Sequence, residues 1–391
     1  MTPSIAVVWN VAEGDAGCTH RVVETNPRER EPELANEAAL ALLDEIGAIA
    51  TPPPRLIING DPTARRDLRE LLAHAARAEI EVELCATNVT LAPDTIAELH
   101  AAGLKTITLG VDGAEAAIHD AMRDVGGSFR ATMKAWEAAR KCGLEVRIKT
   151  TVASLNLMEL PRIAHQVHER GAAAWSVFPL APQETGSRLE GISSQACEDL
   201  MNFLYDAGSA ISIGTSESHH LKRVSLERAV LERRGIPYVQ TMPLGTAYHV
   251  LRAGLEPWST ENHVRRTQID ADVSRRFLFV SASGIVREGG FAVAPGVERE
   301  SFIELYPGSA LIKNLREPIV FAARCAMCEY LPMTRESGES SARLERPGTG
   351  AAEESCGFVP ANFPFQDEID ALAPADVARR SSSSGRYSLR N

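Results

Sequence analysis

Short runs of β-branched and aliphatic residues alternate with helix-length segments through the first half of this chain, and that alternation leaves few folds open. SIAVVWNV is followed by PELANEAALALLDEIG, RLIING by ARRDLRELLAHAARA, and EIEVELCAT by PDTIAELHAAG. KTITLGVDG is followed by FRATMKAWEAARKCG, EVRIKTTV by MELPRIAHQVHERG, and AAAWSVFPL ends the series. PDTIAELHAAG carries proline at its start and glycine at its end, as helices do. Strands separated by helices of this length predict an α/β fold with a parallel sheet and crossover helices. Six such repeats suit a partial (β/α)6 barrel of TIM type, and a doubly wound open sheet shares the pattern. In both architectures ligands sit at the C-terminal ends of the strands.

The rhythm changes near residue 191. Residues 1–191 read as the partial barrel and 192–268 as a helical connecting region lying across the barrel mouth. Residues 269–365 read as a small C-terminal α+β domain, opened by the hairpin RRFLFVSASGIVREGG with its Ser-Gly turn. Residues 366–391 end in ARRSSSSGRYSLRN and read as a disordered tail.

The net charge of −11 disfavours nucleic acid and anionic membrane surfaces as partners. No apolar run reaches the length of a membrane span, and MTPSIAVVWNVAEGD lacks the basic start of a signal peptide. These features predict a cytoplasmic protein whose 7 cysteines are not disulfides. Cys85, Cys142 and Cys197 are expected as small core residues. His219 and His220 are expected on a solvated helix face or at a structural position, and the charges between Lys222 and Arg234 on a mixed-charge helix surface. Asp112, at a strand's end, suits a ligand contact or a helix cap equally.

Several segments, in order, resemble the radical SAM superfamily. NGDP (Asn59, Gly60, Asp61, Pro62) resembles the strand-two motif that contacts the amino group of S-adenosylmethionine. CATNVTL, with Thr87 and Asn88, resembles the Thr-Asn-Gly segment after strand three. Val111-Asp112-Gly113, His119-Asp120, Arg123 and Gly127-Ser128-Phe129 follow the family's strand-four pattern. IKTTVASLNLMELP, which contains Thr150, and WSVFPLAP extend the likeness through strands five and six. The resemblance implies cofactor contacts at Asn59, Gly60, Asp61, Pro62, Thr87, Asn88, Asp112 and Thr150. Beyond the barrel, CAMCEY and ESCGFVP resemble the SPASM/twitch subgroup. There the resemblance implies an auxiliary iron–sulfur cluster, or a zinc, on Cys325, Cys328 and Cys356, with Thr334 where the family has a further cysteine.

The departures bear on function. The superfamily holds its catalytic 4Fe–4S cluster on three cysteines, C-x3-C-x2-C, after strand one. Here that loop, WNVAEGDAGCTHRVVETN, has one cysteine, Cys18; Asp15 and His20 are wrongly spaced to replace the others. Asn59 stands for a glycine and Gly110 for a serine among the expected S-adenosylmethionine contacts. The expectation is a degenerate member with weak S-adenosylmethionine binding and no radical catalysis. It would bind a peptide, a small molecule or an intact radical SAM enzyme. The alternative is an active enzyme with an atypical cluster, modifying a peptide or a cofactor precursor.

Overall fold

The computed structural model describes residues 6–12, 33–49, 51–60, 65–86, 91–180, 189–215, 218–255, 277–287, 328–330, 357–359 and 362–372. Strand and helix alternate as β1 (Ala6–Ala12), α1 (Asn36–Ala48), β2 (Arg55–Gly60), α2 (Leu68–Arg77), β3 (Val82–Ala86) and α3 (Pro93–Ala101). They continue as β4 (Thr106–Gly110), α4 (Ala116–Arg123), α5 (Ser128–Lys141), β5 (Glu145–Val152), α6 (Leu160–Glu169) and β6 (Ala174–Pro179). After these come α7 (Ser194–Ala207), β7 (Ile213–Gly214), α8 (Ser218–Arg234), α9 (Thr246–Ala253), β8 (Phe277–Val280), β9 (Val286–Arg287) and α10 (Gln366–Leu372).

One sheet holds every described strand, in the order β7-β6-β5-β4-β3-β2-β1-β8-β9. Neighbours from β7 to β8 pair in parallel, and only β9 runs antiparallel, against β8. The sheet curls into a half-barrel with helices on its outer face. Side-chain alternation sorts the two faces. Val7, Trp9, Val11, Leu56 and Ile58 are buried toward Leu42, Leu43 and Ile46 of α1 and Leu71 and Leu72 of α2. Each such large side chain contributes about 1.5–3 kcal/mol by leaving water. Val8, Asn10, Ile57 and Asn59 alternate with them onto the open face and remain half-buried.

Four parts differ from the sequence expectation. The hairpin exists, but β8 pairs with β1 at Ala6↔Phe277 through Trp9↔Val280, which makes it continuous with the barrel sheet. The two-residue β7 adds beside β6 where only helix was expected. In the 192–268 region, α9 lies on the outer helix layer, not across the mouth. His165 of α6 bonds the Gly254 carbonyl at 2.8 Å, and Tyr248 donates to Asp206 of α7 at 2.7 Å. The first residues of the expected tail are ordered as α10: Ile369 is fully buried and Glu368 pairs with Arg234 of α8.

The largest correction is α8. Its last charges, Glu232, Arg233 and Arg234, are exposed as expected, but Arg223, Glu227 and Arg228 are only 2–3% exposed and His220 is also buried. Arg223 pairs with Glu198 of α7 and, at 2.9 Å, with Glu227. Arg228 reaches Asp206 at 2.6 Å and lies 4.6 Å over the Tyr205 ring. Burial by ion pairing mimics a polar surface in sequence, because pattern records side-chain type and not the partner that neutralises it.

Candidate functional site

The C-terminal ends of β4 and β5 meet in a buried polar knot. Asp112 follows β4 and is 1% exposed. Its Oδ2 pairs with Arg123 Nη2 at 2.8 Å, and its Oδ1 accepts the Thr151 backbone N–H at 2.8 Å. Its own N–H donates to His119 Nδ1 at 3.2 Å. Gly113 is required here, since a Cβ would come within 2.4 Å of the His119 backbone nitrogen. Asn156 closes the knot. It donates to the carbonyls of Asp112 and Thr151, and accepts from the Ala153 N–H, each at 2.8 Å. The Asp112 carboxylate is thus a structural link between two strand ends, with its charge compensated.

The His-Asp…Gly-Ser-Phe motif is a second clamp. Asp120 accepts from Gly127 N at 2.6 Å, Ser128 Oγ at 2.8 Å and Phe129 N at 2.7 Å, and so caps the start of α5. Burial acts to raise the pKa of Asp120, and the hydrogen bonds from Phe129, Gly127 and Ser128 outweigh it, leaving the carboxyl below its ordinary value.

Thr150, expected at the cofactor, lies on the helix side of β5. It is fully buried, its hydroxyl donates to the Val111 carbonyl at 2.6 Å, and it accepts the Trp175 indole N–H at 2.8 Å. The open face of that strand carries Lys149 and Thr151 instead, by alternation. Asn59 does face the open side, where its amide donates to Asn10 Oδ1 at 2.9 Å across β1 and β2. Gly60 ends β2 opposite Ala12, beyond an irregularity in the pairing. β3 separates β2, which carries Asn59, from β4, which Asp112 follows. Asp61, Pro62, Thr87 and Asn88 lie outside the described residues, as do Asp15, Cys18, His20, Cys325, Thr334 and Cys356.

Lower on the open face, Glu83 of β3 is held by Arg55 at 2.5 Å, by the Thr108 hydroxyl, and by Arg147 at 3.9 Å. Arg147 also pairs with Glu145 at 2.8 Å, so the two arginines here are matched by two carboxylates.

The segments flanking the C-terminal cysteines meet on α7 and α8. Cys328 is half-buried against the core. Two residues later, Tyr330 contacts Phe358 edge to face at 5.3 Å, and the Arg223 guanidinium stands 4.5 Å over the Phe358 ring. Gly357 fits closely here, since its Cβ would lie 3.0 Å from the Ser194 carbonyl. Burial pushes Glu227 up to about 7, Arg223 opposes the rise and Glu198 adds to it. Burial and the Glu227 carboxylate hold the Tyr330 hydroxyl well above its ordinary range. Sequence reading missed this cluster; the only signal was the proximity of CAMCEY and CGFVP in the resemblance.

A parallel half-barrel with polar groups gathered at the C-terminal strand ends defines an α/β cofactor- or substrate-binding scaffold. Residues 18–159 match the family model described as the radical SAM superfamily, so the chain carries a radical SAM domain. It is 26% identical to the AdoMet-dependent heme synthase of Methanosarcina barkeri over 329 residues, covering 83% of this chain and 88% of that protein. It is 25% identical to the same-named protein of Oleidesulfovibrio alaskensis, covering 92% and 89%. The mycofactocin maturase MftC of Mycolicibacterium smegmatis is 25% identical over 343 residues, covering 85% and 77%. Among solved structures, anSMEcpe with bound AdoMet shares the fold at TM-score 0.59 and 12% identity, covering 97% of this chain and 100% of that one. Streptococcus suis SuiB does so at TM-score 0.55 and 12% identity, covering 89% and 75%. No described helix is long and apolar enough to cross a membrane.

That domain match implies an iron–sulfur cluster and S-adenosylmethionine as the family's cofactors. The donor set for the cluster does not fit. The family match begins at Cys18, and C-x3-C-x2-C counted from Cys18 falls on Val22 and Thr25. An alkyl group and a hydroxyl replace two thiolates, and soft iron needs sulfur. The case against S-adenosylmethionine is different. The Asn59 amide is drawn sideways to Asn10, so the described geometry gives no support to the expectation that this side chain excludes the ligand.

Proposed function

We propose that this chain is a ligand-binding member of the radical SAM superfamily that does not form the catalytic cluster at the loop after β1. The observation that carries this is the donor set: one thiolate, Cys18, in a register that requires three. The open face of the half-barrel keeps its polar strand ends, so the binding function outlasts the redox one. The ligand class we assign is a small cofactor precursor of the tetrapyrrole type. Its support is the heme synthases that align over more than four-fifths of both chains. S-adenosylmethionine stays in the ligand set. We further assign the region after β9 to a twitch/SPASM-type domain, with Cys325, Cys328 and Cys356 as the ligands of an auxiliary iron–sulfur cluster or a zinc. The meeting of Tyr330 with Phe358, which brings the two cysteine-bearing segments to one place on α7 and α8, supports that assignment.

The test is anaerobic reconstitution of a variant with Cys325, Cys328 and Cys356 changed to Ala. The expected product has no cluster spectrum and yields no 5′-deoxyadenosine from S-adenosylmethionine under dithionite. A variant that takes up a full cluster, with absorbance near 400 nm, overturns the reading. Wild-type protein is expected to bind metal only through the C-terminal thiols. The second reading, an enzyme with an atypical cluster, would be favoured by deoxyadenosine formation in the wild type.

A further inference from the structure

Three cations stand on the open side of β2 and β5, and they are not equivalent. Arg55 and Arg147 both reach Glu83, at 2.5 and 3.9 Å, and Arg147 also pairs with Glu145 at 2.8 Å. Lys149 has no carboxylate partner among the described residues. Its ammonium stands over the Phe178 ring, 4.4 Å from the centroid. In register, Lys149 stands between Gly110 of β4 and Ser176 of β6. Neither neighbour is large enough to fill the space beside it. The lysine is half-buried and sits toward the C-terminal end of its strand, where this architecture takes its ligands. A partly desolvated ammonium backed by an aromatic face attracts an anion from above, because the ring supplies only part of the counter-charge that water would.

We propose that Lys149 is the anchor for a carboxylate of the ligand held in the half-barrel, and so a specificity-determining residue of that site. This rests on the reading that the open face binds a ligand. The matched charges at Glu83 leave no competing excess of positive charge at the base of the face. The amide pair of Asn10 and Asn59 offers a second polar position. β2 and β5 are three strand spacings apart, roughly 14 Å along the sheet. A ligand touching both positions is broad, while one touching Lys149 alone need only present a carboxylate. S-adenosylmethionine has one carboxylate in its amino-acid moiety; a tetrapyrrole has several on its rim.

The experiment compares wild type, Lys149→Met and Lys149→Arg, with thermal melts to establish that all three fold. Coproporphyrin and its tetramethyl ester are titrated by fluorescence, and S-adenosylmethionine by calorimetry. Wild type is expected to bind the porphyrin acid more tightly than the ester. Lys149→Met should weaken the acid about ten- to a hundredfold, as loss of one charge-assisted hydrogen bond would, and leave the ester unchanged. Lys149→Arg should keep most of the affinity. If Lys149→Met weakens S-adenosylmethionine and not the porphyrin, the anchor stands and the carboxylate is that of S-adenosylmethionine. Equal binding of acid and ester with Lys149→Met unaffected toward all three ligands overturns the proposal, as does failure of wild type to bind any of them. A cluster found at the loop after β1 would sink the non-radical reading and leave the Lys149 comparison as it stands, so the two can fail separately.

Discussion

The strand ends on the two sides of the half-barrel are built to different standards. At β4 and β5, Asp112, Arg123, Thr151 and Asn156 form one buried knot in which a carboxylate and a carboxamide are both hydrogen-bonded on several sides. At β1 and β2, among the described residues, a half-buried amide pair, Asn59 to Asn10, bridges the strands. The first region holds up the fold, since a buried polar group that loses its partner costs its full desolvation. The amide pair, nearer solvent, carries less, and β1 and β2 are held instead by their apolar face of Val7, Trp9, Val11, Leu56 and Ile58.

The sharpest way to break that contrast is Asp112→Ala. It leaves the Arg123 guanidinium buried without its carboxylate and the Thr151 N–H without its acceptor. Loss of one partner of a buried pair predicts about 3–5 kcal/mol of destabilisation in urea unfolding. A loss below about 1 kcal/mol would mean that the knot is not structural.

The helix layer offers a third kind of buried charge, one that is only partly compensated. Glu227 has its folded-state pKa pushed up to about 7 from 4.5, mainly by burial, with Arg223, Glu198 and Tyr330 facing it. The folded state therefore keeps a proton that the unfolded state releases between those values. Stability should be greatest below the unfolded pKa, fall as pH rises from about 4.5 to 7 by on the order of 3 kcal/mol, and then level off. Glu227→Gln should flatten that slope, measured as unfolding free energy against pH. A slope of equal size in the variant would assign the effect elsewhere.

Asn156→Ala should cost about 2 kcal/mol, because two carbonyls and one N–H in a buried setting lose their partner at once. Asn59→Ala should cost no more than about 1 kcal/mol, the ordinary contribution of one hydrogen bond near solvent. If its cost matched that of Asn156→Ala, the two sides of the half-barrel would be alike after all.

Much of this was legible from the chain. β1 to β6 and the helices between them follow the alternation of apolar runs and helical period, because each strand buries one face and each helix one stripe. The strand-four motif was legible as a resemblance, although its physical content was not: Asp120 caps α5, and Gly113 is excluded from carrying a Cβ. The missing thiolates were legible outright, since a ligand's chemistry belongs to residue type. The placement of Thr150 was not legible, because sequence gives strand parity without saying which face is open; its hydroxyl is held by Val111 and Trp175 on the helix side, and Lys149 and Thr151 alternate onto the open face.

What the sequence by itself determined is the parallel α/β sheet with crossover helices and the shortage of cluster ligands after β1, both consequences of local pattern and side-chain chemistry. Tertiary structure alone decided which charges are buried and what they meet. The α8 face of Arg223, Glu227 and Arg228 reads as solvated until α7 brings Glu198 and Asp206 against it. β8 looks like the start of a separate unit until its backbone pairs with β1. In each case the deciding partner is remote along the chain, and a buried charge or an unpaired strand edge takes its meaning from the group that satisfies it.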